Sequence, residues 1–393
     1  MLLALVLAMS GGFQTSLDPP VPQLHWWEPD GGISPRLNVG DCGSDAPKIG
    51  ACQLPTQMTV ADVEAHLAGK NTAWWRDGDE FIVVAKRDSG PVELCCAARG
   101  KMDHVGGDDY AIRLRVADLD EATIDVNIAP EGTVIGAYRG PKAPPKPELS
   151  DPLKGKLLQF AANSHALDDP RQVTVYLPPD YDAQKTYPVV YMADGIWRQD
   201  DPKAVEALIL KGEIPPLILV EIWPGVSHKD REFRSREYLY GWHGNSGGYF
   251  LKHETFLIKE LLPAIQARFH ASALPEDRLI NGFSSGASWA VSMGVRHPET
   301  FPYVAASSVG WAGSEKGLDK PSTTSFFLTV GTMEPDFYTE TLKTADIART
   351  SGHDVTLRVE VSGHTNTIFR EMLLEGIKWW MAKRAAGGSH PPS

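Results

Sequence analysis

Hydrophobic residues occur along this chain in two different patterns, one before and one after a proline-rich stretch at residues 140–152. Before it, short segments rich in valine and isoleucine are separated by turn sequences such as DSGP, GGDD and PEGT. The segments are EFIVVAKR, VELCCAAR, YAIRLRVA and ATIDVNI. Short strands broken at close intervals by turns are typical of an antiparallel β-sandwich. We therefore predict a small all-β sandwich domain over residues 21–139, with one short helix at VADVEAHLAGK.

After the proline-rich stretch, which we interpret as a linker, near-continuous apolar runs alternate with amphipathic segments. The apolar runs predict strands at VTVYLPP, YPVVYMA, LILVEIW, RLINGF, YVAASSV, SFFLTVG and VTLRVEV. The amphipathic segments predict helices at DPKAVEALILKG, KHETFLIKELLPAIQARF, GASWAVSMGVRH, YTETLKTADIARTSG and TIFREMLLEGIKWWMAKRA. This alternation is typical of an α/β fold, a mostly parallel sheet flanked by helices. We predict such a domain over residues 153–385, followed by a disordered tail at 386–393.

The first residues, MLLALVLAMSGG, are apolar and then small, and a polar segment follows them. Residues 1–20 therefore resemble a secretory signal peptide, although the usual basic start is missing. We expect an exported protein, periplasmic or secreted, with a cytoplasmic location as the alternative. No run of about 18 apolar residues predicts a membrane span. The net charge of −12 argues against nucleic acid as a main partner.

Four cysteines, Cys42, Cys52, Cys95 and Cys96, all lie in the predicted β domain. An even number of cysteines in an exported domain predicts disulfides, with free core thiols as the alternative. Zinc is disfavoured because the paired Cys-x2-Cys spacing of zinc sites is missing. Three full pairings are possible. Since adjacent strand residues point to opposite faces, we expect Cys95 and Cys96 to bond to different partners, so that Cys42 and Cys52 take one each.

The stretch NGFSSGASWA, residues 281–290, holds Ser284 between Gly282 and Gly286, where a predicted strand turns into a predicted helix. Small residues here could simply let a helix pack tightly on a sheet. A nucleophile elbow needs the same pattern, because a strained serine sits on a sharp turn at the end of a strand. Between a strand and a helix, the pattern predicts that Ser284 is a catalytic nucleophile.

A serine nucleophile needs a base, and the base needs an acid that orients it. His364 follows the last predicted strand in VEVSGHTNTIF, which is the position for the base. After the preceding strand, FFLTVGTMEPDFY offers Glu334 and Asp336. We favour Glu334 as the acid because it is nearer the strand end, and keep Asp336 as the alternative. The order serine, acid, histidine is that of α/β-hydrolases.

The oxyanion of an ester intermediate requires hydrogen-bond donors. We expect them to be the backbone N–H of Ser285, directly after the nucleophile, and that of Ile196 in YMADGIWRQD. No metal-ligand or phosphate-loop pattern appears in the sequence, so we expect no metal and no other cofactor.

Several aromatic and basic residues fall in loops predicted at the same end of the sheet. Trp197, Trp223, Trp242 and Trp311 are candidates for binding a flat acyl group; the alternative is that half of them only cover the cores of their loops. HKDREFRSREY contains three arginines, of which Arg236 is our candidate for binding an anionic substrate. A surface network of ion pairs is the alternative for these arginines.

The second domain resembles the esterase D superfamily, and most closely its enterochelin (ferric siderophore) esterase branch. The resemblance covers roughly residues 155–383 and rests on VTVYLPPDY, YPVVYMADGIW, RSREY, ELLPAIQARF, LINGFSSGASWAVSMGVRHPETF, TVGTME and SGHTNTIF. It implies an α/β-hydrolase fold, ester hydrolysis by a serine triad, Ser284 as nucleophile and His364 as base. The chain departs from the family at two positions: Ala287 replaces the second glycine of the usual Ser-x-Gly-Gly, and Trp289 stands where a small residue is usual.

We therefore expect a serine esterase that acts on a small or medium ester through an acyl-enzyme, with a siderophore ester as the favoured substrate. A feruloyl or acetyl-xylan esterase and an acyltransferase are alternative enzymes. A non-catalytic binding protein on a hydrolase scaffold is the alternative of another class. The oligomeric state stays open.

Overall fold

The computed structural model describes residues 38–88, 90–129, 134–225, 233–241, 248–310 and 317–387. Three sheets organise this part of the chain, two in the first domain and one in the second. The expected signal segment, residues 1–20, lies outside the described residues, as do Trp242 and Trp311.

The first domain consists of two facing sheets. Its strands are β1 (Gly40–Asp41), β2 (Ala51–Leu54), β3 (Thr72–Asp77), β4 (Glu80–Lys86), β5 (Glu93–Cys96), β6 (Gly100–Lys101), β7 (Asp103–Gly106), β8 (Asp109–Val116), β9 (Thr123–Ala129) and β10 (Val134–Arg139). One sheet has the order β1-β2-β8-β4-β3, with β7 also on β8, and the other has the order β10-β9-β5-β6. Among the strand pairs in the described residues of these sheets, β1–β2 is parallel and the others are antiparallel.

The core of this domain is formed by alternate residues of both sheets. Val83 and Ile112 come from β4 and β8, while Leu94 and Val126 come from β5 and β9, and all four side chains are fully buried in one cluster. Apolar residues at alternate positions place one face of each sheet inside, as a sandwich requires.

Helix α1 (Val60–Leu67) covers the outer face of the larger sheet. Thr59 caps it, because its side chain accepts from the backbone N–H of Asp62 while the Asp62 carboxylate accepts from the Thr59 N–H. Val63 and Leu67, one turn apart, pack against Val84 of β4. Strand β4 is therefore buried on both faces, which explains its continuous apolar sequence.

The second domain is built on one eight-stranded sheet. Its strands are β11 (Lys156–Ala162), β12 (Arg171–Leu177), β13 (Val189–Met192), β14 (Ile218–Ile222), β15 (Arg278–Phe283), β16 (Tyr303–Ser307), β17 (Ser325–Gly331) and β18 (Asp354–Glu360), in the order β11-β12-β14-β13-β15-β16-β17-β18. The first two pairings, β11–β12 and β12–β14, are antiparallel, and the other five are parallel.

Helices cover both faces of this sheet. They are α2 (Asp201–Leu210), α3 (Phe233–Tyr238), α4 (Gly248–Thr255), α5 (Leu262–Phe269), α6 (Ser285–Arg296), α7 (Pro335–Thr350) and α8 (Asn366–Gly387), and a π-helical turn (Phe256–Leu261) joins α4 to α5. Along β13, Val189 and Tyr191 belong to one buried cluster and Val190 and Met192 to the other. The predicted α/β-hydrolase sheet after a strand-rich domain is confirmed.

Some elements were not expected from the sequence. Strand β11 forms an edge of the large sheet, and three of its seven residues are exposed, so its apolar pattern is weak. The short helix α3 lies where we predicted only a loop. Helix α8 continues to Gly387, two residues beyond the expected end of the domain at residue 385, and residues 388–393 lie outside the described part.

All four cysteines form disulfides, but the predicted pairing is wrong: Cys42 bonds to Cys52, and Cys95 bonds to Cys96. Strand pairing explains the first bond. Gly40 lies opposite Cys52 in the β1–β2 ladder, and the Cys42 N–H donates to the carbonyl of Gln53 at 2.9 Å. This local contact places Cys42 beside Cys52 and leaves Cys95 and Cys96 to each other.

The two domains share a packed interface. Met333, in the loop after β17, is buried in the core of the sandwich, and Val361 packs against the same cluster. The Thr123 N–H donates to the Val361 carbonyl at 2.9 Å, and Arg139 forms an ion pair with Glu371 of α8. The sandwich thus touches the loops that follow β17 and β18.

Candidate active site

Ser284 lies on a sharp turn between β15 and α6. Its backbone has φ 57° and ψ −126°, a conformation that non-glycine residues rarely adopt and that is characteristic of strained functional positions. The Ser284 N–H donates to the Ser307 carbonyl at 3.0 Å, which ties the turn to the end of β16. Parallel strands end together, so the serine is held at the carboxyl edge of the sheet.

The two flanking glycines are required by close packing. A Cβ at Gly282 would overlap the carbonyl group of Gly286, because the first turn of α6 passes directly over the end of β15. A Cβ at Gly286 would in turn press on the carboxylate of Asp194. The Gly-x-Ser-x-Gly pattern is thus explained by the elbow and by its contact with a neighbouring loop.

His364 lies in the loop between β18 and α8, and its Nδ1 is 2.6 Å from Oε2 of Glu334. Its ring packs on Phe337, with ring centroids 4.4 Å apart, and meets the Phe369 ring edge-on at 5.0 Å. The Phe369 ring also stacks on Phe283 at 4.5 Å. Since Phe283 directly precedes Ser284, a single aromatic ring connects the histidine to the base of the elbow.

Glu334 is completely buried at the start of α7. Its Oε1 accepts from the Ser308 hydroxyl at 2.6 Å and from the Gly331 N–H at 2.7 Å, while Oε2 faces His364. Charge-assisted hydrogen bonds of this kind fix the orientation of a carboxylate. Asp336, the alternative acid, is exposed in the first turn of α7.

The loop after β13 holds a fully buried carboxylate, that of Asp194, which forms an ion pair with Arg234 of α3. Asp194, which has φ 66°, precedes a 3-10 turn over Gly195–Trp197, and its two carboxylate oxygens accept from Nε and Nη2 of Arg234 at 2.6 Å each. Burial alone would lower the pKa of Arg234, but the Asp194 carboxylate outweighs burial and raises it. The guanidinium also lies over the Trp197 ring, 5.4 Å from its centroid. The bidentate pair fixes the turn that carries Ile196.

The candidate oxyanion donors lie on two loops that touch each other. Ser285 is the first residue of α6, where backbone N–H groups have no acceptor within the helix. Ile196 is buried in the 3-10 turn. A Cβ at Gly286 would meet the Asp194 carboxylate, so the start of α6 lies against the turn after β13, and both candidates are at the same edge of the sheet.

The candidate substrate-binding residues have different surroundings. Trp197 packs on the apolar cluster of Phe283 and Phe369. Trp223 is half-buried, and its Nε1 donates to the Thr174 hydroxyl at 3.0 Å. Arg236 is half-buried on α3.

Three contributions to the site were not assigned from the sequence. Arg234 is one of three arginines in a single segment, and their spacing gives no reason to prefer it. Ser308 follows β16 without a recognisable motif. The third is the first domain, which reaches the loop of His364 through Cys96: the His364 N–H donates to the Cys96 carbonyl at 3.1 Å. Only the folded chain brings residues so far apart in sequence together.

Fold and elbow together define an α/β-hydrolase. The chain belongs to the esterase family, whose model matches residues 164–369, just over half of the sequence. Two esterases of Mycobacterium tuberculosis are each 29% identical to it over 129 residues, which is 32% of this chain and 26% of theirs. The match therefore spans about a quarter of the length of these curated relatives.

Solved structures with the same fold include the enterobactin esterase of Shigella flexneri, determined in the presence of enterobactin. Its TM-score is 0.62 at 16% identity, covering 81% of this chain and 98% of its own. The ferric enterobactin esterase of Salmonella typhimurium has a TM-score of 0.60 at 15% identity, covering 81% and 99%. A ferulic acid esterase has a TM-score of 0.50 at 20% identity, covering 58% and 98%. These similarities confirm the fold, and the family match over residues 164–369 confirms the predicted resemblance to esterases.

No helix in the described part of the chain combines the length and apolarity needed to cross a membrane. Within the same residues, no group of three or more histidine, cysteine or acidic side chains is arranged to hold a metal ion.

Proposed function

We propose that the protein hydrolyses carboxylic esters through an acyl-enzyme, with Ser284, His364 and Glu334 as its catalytic triad. The observation that carries the proposal is the 2.6 Å contact between His364 and the buried Glu334 at the same sheet edge as the elbow. The geometry favours Glu334 over Asp336, whose carboxylate is exposed. Family membership supports the same class of reaction.

In the proposed reaction, the Ser284 hydroxyl attacks the ester carbonyl carbon while Nε2 of His364 takes its proton. The backbone N–H groups of Ser285 and Ile196 stabilise the oxyanion that forms. The intermediate collapses when His364 returns the proton to the leaving alcohol. Water, activated by the same histidine, then attacks the acyl-enzyme and releases the carboxylic acid. Glu334 holds the Nδ1–H tautomer and stabilises the imidazolium.

Replacement of the nucleophile tests this proposal. Ser284→Ala is expected to lower kcat on p-nitrophenyl butyrate by at least about 10³-fold and to abolish labelling by a fluorophosphonate probe. Ser292→Ala is the matched control, because Ser292 is a buried serine two turns further along the same helix. Labelling of Ser284→Ala at the wild-type rate would reject the assignment. Absence of labelling in the wild-type protein would favour a binding protein instead.

We further propose that the substrate carries an aromatic or anionic acyl part, as a siderophore ester does. Half-buried Trp197 and Trp223 on the loops after β13 and β14 support this, together with Arg236 on α3. A feruloyl ester is the second candidate, since the flat aromatic acid would use the same tryptophans. The fold is shared with both an enterobactin esterase and a ferulic acid esterase.

A comparison of kcat/KM for a catecholate trilactone, methyl ferulate and p-nitrophenyl butyrate distinguishes these substrates. Arg236→Ala should penalise the anionic substrate more than the neutral one. Arg349→Ala, which removes the same charge about 20 Å along α7 from its start, should penalise both equally. Preference for the butyrate, with no effect of Arg236 on charge discrimination, would indicate a general esterase.

We also propose that the protein is exported. Two disulfides in the first domain support an oxidising compartment, since such bonds are rare in the cytosol. Cell fractionation with N-terminal sequencing of the mature protein tests this. Recovery of an uncleaved chain with four free thiols from the cytosol would contradict it.

A further inference from the structure

We propose that the Cys95–Cys96 disulfide positions the catalytic base. It fixes the backbone carbonyl of Cys96, which accepts a hydrogen bond from the His364 N–H. The inference rests on the proposed role of His364. It assigns to the first domain a part in catalysis that does not require contact with substrate.

The first observation is a direct hydrogen bond between the domains. The His364 N–H donates to the carbonyl of Cys96 at 3.1 Å, and Cys96 is itself half of the disulfide. A Cβ added at the neighbouring Gly363 would overlap the carbonyl of Ala97. Gly363 and the backbone nitrogen of His364 therefore both lie directly against the backbone at the end of β5, at Ala97 and Cys96.

The second observation is that the backbone at Cys96 is held firmly within the first domain. Cys96 pairs with Val126 in the β5–β9 ladder, and Cys95 is completely buried. Thr123 of β9 adds two more contacts with the same loop: its N–H donates to the Val361 carbonyl at 2.9 Å, and its carbonyl accepts from the Ser362 hydroxyl at 2.8 Å. The loop of the base thus has three hydrogen bonds to two adjacent strands.

The third observation is that the acid is held by the same loop. The Met333 N–H donates to the Ser362 carbonyl at 2.9 Å, and Met333 is buried in the sandwich core next to Glu334. A shift of the backbone at Cys96 therefore displaces His364, together with Glu334, relative to Ser284. Misplacement of a catalytic group by about 1 Å lowers the rate by about 10²-fold.

Cys96 is only half-buried, so a small dithiol reductant can reach the bond. Two successive thiol–disulfide exchanges break the Cys95–Cys96 bond, pass two electrons and two protons to the cysteine sulfurs, and oxidise the dithiol to its cyclic disulfide. Without the bond, the two side chains are free to take separate rotamers. The carbonyl that supports His364 then loses one of its constraints.

The test uses the full chain with Cys42→Ser and Cys52→Ser, so that Cys95–Cys96 is its only disulfide, and titrates it with dithiothreitol. We expect kcat on p-nitrophenyl butyrate to fall by about ten- to a hundredfold as two thiols per chain appear in an Ellman assay. KM should change by less than about twofold, and near-UV circular dichroism should be retained. Reoxidation with diamide should restore kcat.

The matched control carries Cys95→Ser and Cys96→Ser and keeps the bond of the other sheet. Its kcat should be low from the start and should not respond to dithiothreitol. If either double variant fails to fold, alkylation and mass spectrometry of the reduced wild-type protein will assign the loss of activity to one bond or the other.

Two results would overturn the proposal. One is an unchanged kcat after two thiols have appeared at Cys95 and Cys96. The other is a loss of activity that follows a loss of near-UV circular dichroism, since general loosening of the fold would then explain it. Failure of the triad itself is recognised separately, because His364→Ala would then retain its activity.

Discussion

Replacement of Glu334 by glutamine makes the sharpest prediction about this site. The two carboxylate oxygens have different surroundings: Oε1 accepts from two donors, the Ser308 hydroxyl and the Gly331 N–H, and Oε2 faces Nδ1 of His364. A glutamine has one oxygen and one NH2 group. The Gly331 N–H cannot reverse its role, so the amide oxygen must take the Oε1 position and the NH2 group must face His364.

The expected consequence is the wrong tautomer of the base. An NH2 group opposite Nδ1 requires that Nδ1 be unprotonated, and the proton of the neutral ring then lies on Nε2. A protonated Nε2 cannot accept the proton of Ser284. Loss of the correct tautomer in a triad costs about 10⁴-fold in kcat, which corresponds to about 5 kcal/mol of transition-state stabilisation.

The assay is steady-state hydrolysis of p-nitrophenyl butyrate by Glu334→Gln, with Asp336→Asn as the matched control. The control also converts a carboxylate to an amide, but at an exposed position two residues away. We expect kcat to collapse only in Glu334→Gln, with KM nearly unchanged and a melting temperature close to wild type. A larger loss in Asp336→Asn, or more than a tenth of wild-type kcat in Glu334→Gln, would refute the reasoning.

Three further predictions concern stability. Burial lowers the pKa of His253 from 6.5 to about 4, so between these pH values the unfolded chain binds more protons than the folded one. The free energy of unfolding should therefore fall by up to roughly 3 kcal/mol as the pH drops from 6.5 to 4. In urea titrations, His253→Phe should remove this part of the pH dependence. Arg234→Met leaves the Asp194 carboxylate buried without its bidentate partner and should lower the free energy of unfolding by about 3–5 kcal/mol. The additional change Asp194→Leu should restore most of this loss. Additive losses of the two changes, measured from urea midpoints, would contradict the prediction. Gly282→Ala should destabilise by about 1–3 kcal/mol because its Cβ meets the Gly286 carbonyl, and a normal melting temperature would show that the helix can move away.

The order of strands and helices was determined largely by the sequence alone. The seven strands from β12 to β18 coincide with seven predicted runs. Strands β12 to β17 are buried at nearly every position, as strands covered on both faces must be. The elbow was also recognisable in the sequence, because Gly282 is required by a contact with Gly286 only four residues further on, although Gly286 itself is required by the distant Asp194. Signals of this kind are local, and they are present before the chain folds. Strand β11, an edge strand with three of its seven residues exposed, was not predicted, whereas β18 at the opposite edge, with as many exposed residues, was.

Only the tertiary structure decided which distant groups meet. The choice between Glu334 and Asp336 rests on which carboxylate the fold turns towards His364, and the chain offers both within three residues. The pairing of Arg234 with Asp194, across 40 residues, follows from the packing of α3 against the loop after β13. The cysteine pairing followed the β1–β2 register instead of the alternation expected within one strand. Long-range contacts depend on how whole elements pack, because the entropy lost on closing a long loop is offset only when both contacting surfaces are already formed. For the same reason, no local pattern of the sequence predicts the contact between the His364 loop and the first domain.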